Sequence, residues 1–459
     1  MRNPTDAASL TDPLAAFIEA ACVPRHSSHN SGTLEQAETI LARYPQVATG
    51  NIHAAAVLAD ASTVRHFLSQ DPNSASAPGG PHGWDALTHL CFSRYLRLDQ
   101  ARSEAFVQTA QLLLDAGASA NTGWYEMIDH PNPRPVLESA IYGAAAIARH
   151  AGLTRLLLER GADPNDEETP YHVPEGYDNA VMTILLESGK LNNASLACLL
   201  LRKADWHDEE GIRLALAHAA DPNLQSQFGF SALHQAVRRD NRLSSIALLL
   251  DYKADPALPS KRTGSTATAM AARRGRGDIL RLLEERGIPL NLQVVDRLIA
   301  ACAKGDAEEV SLRLSREPHL RQELIAEGGT LLAEFAGNGN VAGLRCLLDL
   351  GVEATALYRH GDGYFDIPHN STALHVAAWR GWPSAVKELI ARGAPLKALD
   401  GKGRTALALA VKACVDSYWI GRRSPDSVDA LLKAGASTDG IAIPSGYDEI
   451  DQLLRQHKA

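Results

Sequence analysis

Seventeen histidines in a chain of 459 residues raise the question of a metal or catalytic site. His130, His172, His360 and His369 stand in long interhelical stretches with Asp129, Asp362 and Asp366 nearby, and imidazole with carboxylate is a common donor set for divalent cations. Their spacing matches no metal motif, and Gly361-Asp362-Gly363 followed by Asp366 lacks the ligand order of a calcium loop. Gly401-Lys402-Gly403 lacks the preceding glycine spacing of a phosphate loop, so Lys402 reads as a turn lysine. G-x-x-x-x-G-K-S/T, H-E-x-x-H, G-x-S-x-G and G-x-G-x-x-G do not occur. The expectation is therefore no catalytic residue, no cofactor and no metal.

Aromatic residues are a second set that stands out. Three connections exceed what a turn needs: Asn121 to Pro135 (NTGWYEMIDHPNPRP), Asp166 to Asp178 (DEETPYHVPEGYD) and Ala356 to Asn370 (ALYRHGDGYFDIPHN). Long loops in a compact stack are functional or disordered, and disordered segments are poor in aromatics. These three hold Trp124, Tyr125, Tyr171, Tyr177, Tyr358, Tyr364 and Phe365 in a chain that is 5% aromatic. With Arg359 they are the candidate contacts to a partner protein, and Glu126, Asp166 and Glu168 add direction to the charge. The competing reading folds these aromatics back over a repeat edge. Trp206, Trp379 and Trp382 lie in helices or at their ends and read as packing.

The elements that carry these loops recur. Thr372-Ala373-Leu374 returns at Thr405-Ala406-Leu407, and Ser231-Ala232-Leu233-His234 returns in outline at Thr266-Ala267-Thr268-Ala269. The ending recurs more often, at Gly117-Ala118, Gly161-Ala162, Ala219-Ala220, Lys253-Ala254, Gly287-Ile288, Gly351-Val352, Gly393-Ala394 and Gly435-Ala436. Glycine tolerates the left-handed conformation that stops a helix, and a proline soon after cannot continue one. Leu113, Leu157, Leu249, Leu283, Leu347, Leu389 and Leu431 each precede a stop by four residues. Leucine at one helical phase marks one buried face, and a lone helix pair has nothing to bury it against, so neighbouring copies must supply the surface.

These residues resemble the ankyrin repeat, most closely over Ser371 to Gly403, with T-A-L-H-V-A-A at Thr372 to Ala378 and R-G-A-P at Arg392 to Pro395. The resemblance implies an all-α ankyrin-repeat solenoid of about 11 helix-turn-helix units with β-turn finger loops. It also implies that Thr372 with His375, and Ser231 with His234, cap the first helix of their copies. Thr405 keeps the cap with Ala408 in the histidine's place. The expected layout is one elongated domain over 1–459: a capping unit at 1–49, repeats over 50–439 that are irregular at 166–223 and 292–329, and a capping helix at 440–459. In 166–223 three helical segments are visible where pairs require two or four, which leaves the pairing phase open. Fingers and first helices are where partners of such repeats commonly lie.

Composition narrows the function further. Apolar residues make up 45% and charged residues 22%, with no apolar run long enough for a membrane span. The net charge of −9 is spread without a basic stripe, which argues against nucleic acid. The start of the chain makes a poor secretory signal. Six dispersed cysteines without a C-x-x-C pair read as buried thiols in a cytoplasmic protein. The expected function is a non-catalytic scaffold that binds partner proteins. The rival is an enzyme or small-molecule binder whose pocket is built by the loops at 121–178 and 356–370.

Overall fold

A computed structural model describes residues 11–26, 28–128, 133–417 and 419–458. They fall into two compact units divided between Phe228 and Gly229, and each is an all-α stack of helix pairs.

The helix stops share one set of bonds. Gly117, Gly161, Gly287, Gly351, Gly393 and Gly435 all take a positive φ. The amide that follows turns back over the last turn: Ala118 donates to the Leu113 carbonyl at 3.0 Å, Ala162 to Leu157 at 2.9 Å and Ala394 to Leu389 at 2.9 Å. Ala219 and Lys253 adopt the same conformation (φ 63° and 68°) at a cost of about 1–2 kcal/mol each. The seven leucines one turn earlier are all buried. Burying each is worth about 1.5–3 kcal/mol, which at Lys253 outweighs that strain through the buried Leu249.

The openings are capped as the pattern requires. The His375 Nδ1 accepts from the Thr372 amide at 3.1 Å, and its Nε2 lies 3.0 Å from the Ala398 carbonyl. In the second copy the Ser231 amide donates to His234 Nδ1 at 3.3 Å, and Nε2 lies 2.9 Å from the Leu258 carbonyl. A carbonyl only accepts, so each Nε2 carries the proton, and burial holds both imidazoles below the usual histidine range. Thr405 caps its helix through the Ala408 amide at 3.2 Å.

In the first unit the described helices form six pairs, beginning with Pro13–Ala21 and Glu35–Arg43 and ending with Asn193–Asp205 and Glu209–Ala217. A short helix, Glu168–His172, lies inside the stretch that the sequence presents as a loop, and it settles the pairing phase. It packs beside Asn193–Asp205, while Ala180–Glu187 packs on Ala151–Glu159. Four helices replace the three that were visible. Five residues including a proline carry no helical period; Asp166 holds the turn instead, its Oδ2 accepting from the Thr169 hydroxyl at 2.9 Å.

The first finger departs from the all-helical pattern. Gly123–Ile128 and Arg134–Ser139 pair antiparallel, with Trp124 opposite Glu138 and Tyr125 opposite Leu137. Period-two alternation sends Trp124 inward and Tyr125 and Met127 outward.

The second unit also holds six pairs, from Ala232–Arg238 with Leu243–Asp251 to Ala406–Asp416 with Asp426–Lys433, followed by Asp448–Lys458. In the irregular stretch at 292–329, Val294–Lys304 pairs with Ala307–Arg316, and an extra helix, Leu320–Ala326, leads into Gly328–Gly337. Among the described residues no helix is long and apolar enough to cross a membrane.

Candidate functional site

Each unit buries a cluster of charged side chains beneath a finger. In the first unit, Glu138 projects inward from the second strand of the hairpin and is 2% exposed. Its Oε2 has no hydrogen-bond partner. The nearest positive candidate is the His29 imidazole, whose Nδ1 lies 3.7 Å from that oxygen and whose Nε2 lies 3.0 Å from Glu126. Burial first, then the negative fields of Glu168, Glu126 and Asp166, push the Glu138 carboxyl up to about 8. His172 stands between Glu168 (3.1 Å) and Glu175 (3.0 Å). Burial lowers its pKa, but the two carboxylates override this and hold it at about 9. Glu175 is shared with Arg202 at 2.9 Å.

Rings wall this acidic cluster. Trp124 lies 5.6 Å from His29 and 5.3 Å from Trp84, and Tyr142 lies 6.0 Å from His29. The Trp124 indole N–H is buried without an acceptor.

In the second unit, Asp240 follows the helix Ala232–Arg238 with φ 53°, and its side chain is 3% exposed. Arg274 grips it with two bonds at 2.9 and 2.8 Å. Arg380, 140 residues away in sequence, reaches the same carboxylate with both terminal nitrogens at 3.1 Å. Burial alone would raise the Asp240 pKa; Arg274 and Arg380 reverse the sign and hold it well below the usual carboxylate range. Arg274 also pairs with Glu334 at 3.1 Å, and the Tyr358 hydroxyl donates to Glu334 at 2.7 Å. Arg380 lies between two rings, 3.8 Å from Phe365 and 4.4 Å from Trp419.

The expected contact residues therefore divide. Tyr125 and Tyr177 are 65% and 70% exposed, and Arg359 is exposed as well. Tyr364 is 38% exposed, with Arg239 3.5 Å over its ring. Tyr171 is half-buried under Arg202 at 4.1 Å. Trp124, Tyr358 and Phe365 are inside the fold, because each supplies apolar area or a hydroxyl to a charge cluster that would otherwise face its own finger unscreened. Sequence reasoning missed Met127, 57% exposed beside Tyr125; strand alternation from Trp124 is the signal that finds it. It also missed Asp240, Arg274 and Arg380, each placed at the end of a first helix.

Of the histidine and aspartate residues first weighed as metal donors, the described ones do not converge. Asp129 and His130 lie outside the described residues. His172 serves Glu168 and Glu175, Asp362 faces Arg274 at 3.9 Å, and Asp366 faces Arg404 at 3.6 Å. Among the described residues no group of three or more His, Cys, Asp or Glu could hold a metal ion. One serine–histidine contact needs separate reading: Ser103 Oγ lies 2.7 Å from His150 Nε2. His150 Nδ1 accepts the Leu153 amide at 3.0 Å, so the proton sits on Nε2 and points at the serine. That tautomer donates to the hydroxyl and cannot take its proton.

Two family models match the sequence: one described as "Ankyrin repeats (3 copies)" over residues 200–294 and one described as "Ankyrin repeat" over 369–401. A fowlpox virus (strain NVSL) protein named for its ankyrin repeats is 29% identical over 153 residues, which is 30% of this chain and 45% of that protein. The chain thus spans less than half the length of that relative. Among solved structures, the ankyrin repeat domain of human ASB11 is 22% identical, covering 52% of this chain and 98% of that one at a TM-score of 0.23. The ankyrin repeat domain of Bcl-3 is 21% identical, covering 50% and 96% at 0.22. Thr372 with His375 and the Gly393 stop fall inside the matched copy at 369–401, and Ser231 with His234 inside 200–294. The chain carries ankyrin repeats over residues 200–294 and 369–401.

Proposed function

We propose that the chain is a non-catalytic recognition scaffold that binds partner proteins through its fingers and acts in the cytoplasm. The observation that carries this reading is the outer face of the first finger. Tyr125 and Met127 stand exposed on a strand pair whose other face is anchored by Trp124. Large side chains held on a rigid hairpin lose little entropy when they bind, which is the property of interface anchors. Tyr177, Arg359 and Tyr364 are further contact candidates on the same reasoning. The cytoplasmic assignment is supported by Cys22, Cys91, Cys198, Cys302 and Cys414, buried as thiols among apolar side chains.

The test is affinity capture from lysate of the source cell by the intact chain and by a Tyr125→Ser, Met127→Ser, Tyr177→Ser variant of unchanged melting behaviour. Partners held by the parent and lost by the variant support the reading. Identical captures by both forms would move the contact away from these residues.

A further inference from the structure

We propose that the Glu126 and Glu138 carboxylates, with the ring walls of Trp124 and Tyr142, form a binding site for the guanidinium of an arginine in a partner peptide, a site that His29 fills in the resting chain. The proposal rests on the recognition reading above and names the partner's chemistry.

One buried group at this site lacks a partner that a cation would supply: Glu138, 2% exposed, offers an oxygen with no donor. Native interiors rarely leave such groups unpaired, because each unmet group costs about 1–3 kcal/mol. The like charges around Glu138 make a cation the fitting complement. Glu126 faces it from the first strand, and Asp166 and Glu168 from the neighbouring helical turn. The basic groups are His172 on that turn and His29, His26 and Arg25 on the N-terminal segment.

His29 shows what shape of ligand the site accepts. Its flat ring meets Glu126 at 3.0 Å and the Tyr142 hydroxyl at 3.1 Å, and it lies edge-on to Trp124 and Tyr142. A guanidinium is also flat, carries five donors instead of at most two, and can satisfy both carboxylates while stacking on either ring. Arg25 already places a guanidinium 5.7 Å from the Trp124 ring. The protein's own basic residues thus occupy a surface whose charge suits a basic partner, and a ligand enters by exchange with His29.

The exchange has a pH signature. Glu138 must ionise to pair with arginine, and its carboxyl titrates at about 8 in the resting chain. Binding below that pH releases a proton, so affinity rises as pH increases from 6.5 and levels above about 8.5.

The test uses the full chain with 15N-labelled tryptophan and a glycine-flanked arginine pentapeptide, reading the Trp124 indole resonance assigned through Trp124→Phe. His29→Ala should bind the peptide at least tenfold more tightly than the parent. Adding Glu138→Gln should cancel that gain and flatten the pH dependence. His29→Gln serves as the second variant if His29→Ala unfolds. No response to the arginine peptide in a folded His29 variant, or an equal response to the alanine pentapeptide, would overturn the proposal. An equal response to the lysine pentapeptide would overturn the guanidinium assignment. If the arginine peptide fails while Tyr125, Met127 and Tyr177 still govern partner capture, this site falls and the recognition reading stands.

Discussion

The first unit buries Glu138 and the second buries Asp240, and the two carboxylates meet the loss of water in opposite ways. Asp240 has a guanidinium on each side and stays ionised. Glu138 has three carboxylates for neighbours and a histidine at arm's length, and it holds its proton to about pH 8. Burial is the first cause of shift at both, so the difference lies in what the chain places beside them. In the second unit a charge network ties distant copies together. In the first unit the network is left short of positive charge, and the Glu138 carboxyl is held in its protonated form well above the usual carboxylate range.

Asp240→Asn is the sharpest way to break the comparison. It leaves Arg274 and Arg380 buried with half of their acceptor lost, and the expected destabilisation is about 3–5 kcal/mol. Hydrogen exchange should show protection lost at Ala232–Arg238 and also at Ala373–Trp379, which Arg380 follows. Leu249→Ala provides the apolar yardstick at about 2–5 kcal/mol, and its effect should stay with the copies touching Leu243–Asp251. If both variants loosen the same helices, the charge network adds no long-range coupling.

The pH dependence of the two units should separate next. Glu138 has a raised pKa, so the folded state loses stability from about pH 4.5 up to about 8, where the unfolded chain ionises this carboxyl and the folded chain keeps it protonated. His172 is also raised, so its contribution is complete below about 6.5 and is lost as pH climbs through about 9. Both effects weaken the first unit on the alkaline side. Asp240 is depressed, so its contribution is present above the usual carboxylate range and lost only in acid. Hydrogen exchange at pH 6 and pH 9, corrected for intrinsic rates, should show opening confined to the first unit. Glu138→Gln should remove part of that change and leave the first unit more protected than the parent at pH 8.5. Equal pH sensitivity in both units would erase the contrast.

Much of the scaffold was legible from the sequence because repetition averages local ambiguity. The stops at Gly161 or Gly393 were identifiable because glycine, leucine phase and turn residues agree there and at most other copies. The caps at Thr372 and Ser231 were identifiable because the histidine three residues on has a specific bonding task. Glu168–His172 was not, since its helical turn is held by Asp166 and tertiary packing. The charge clusters were not legible either. Arg380 and Asp240 are 140 residues apart, and only the path of the stack and the fold of residues 357–372 bring them together. Loop aromatics could be listed but not sorted: Trp124 and Tyr125 are adjacent, and strand pairing alone sends one inward and one out.

The smallest stability effect bears most directly on function. Tyr358 and Tyr177 are both finger tyrosines, one spending its hydroxyl on Glu334 and the other 70% exposed. Tyr358→Phe removes one buried hydrogen bond to a carboxyl group and should cost about 1–3 kcal/mol in the second unit. Tyr177→Ser removes a ring that stabilises little of its own unit and should fall within about 0.5 kcal/mol of the parent. Paired denaturant titrations measure both. A Tyr177 variant that destabilises as much as Tyr358→Phe would mean that the exposed ring is also packing, and recognition would have to be carried by the hairpin face of Tyr125 and Met127 alone. A near-zero cost, combined with weakened partner capture, would show a side chain kept at the surface for what it binds.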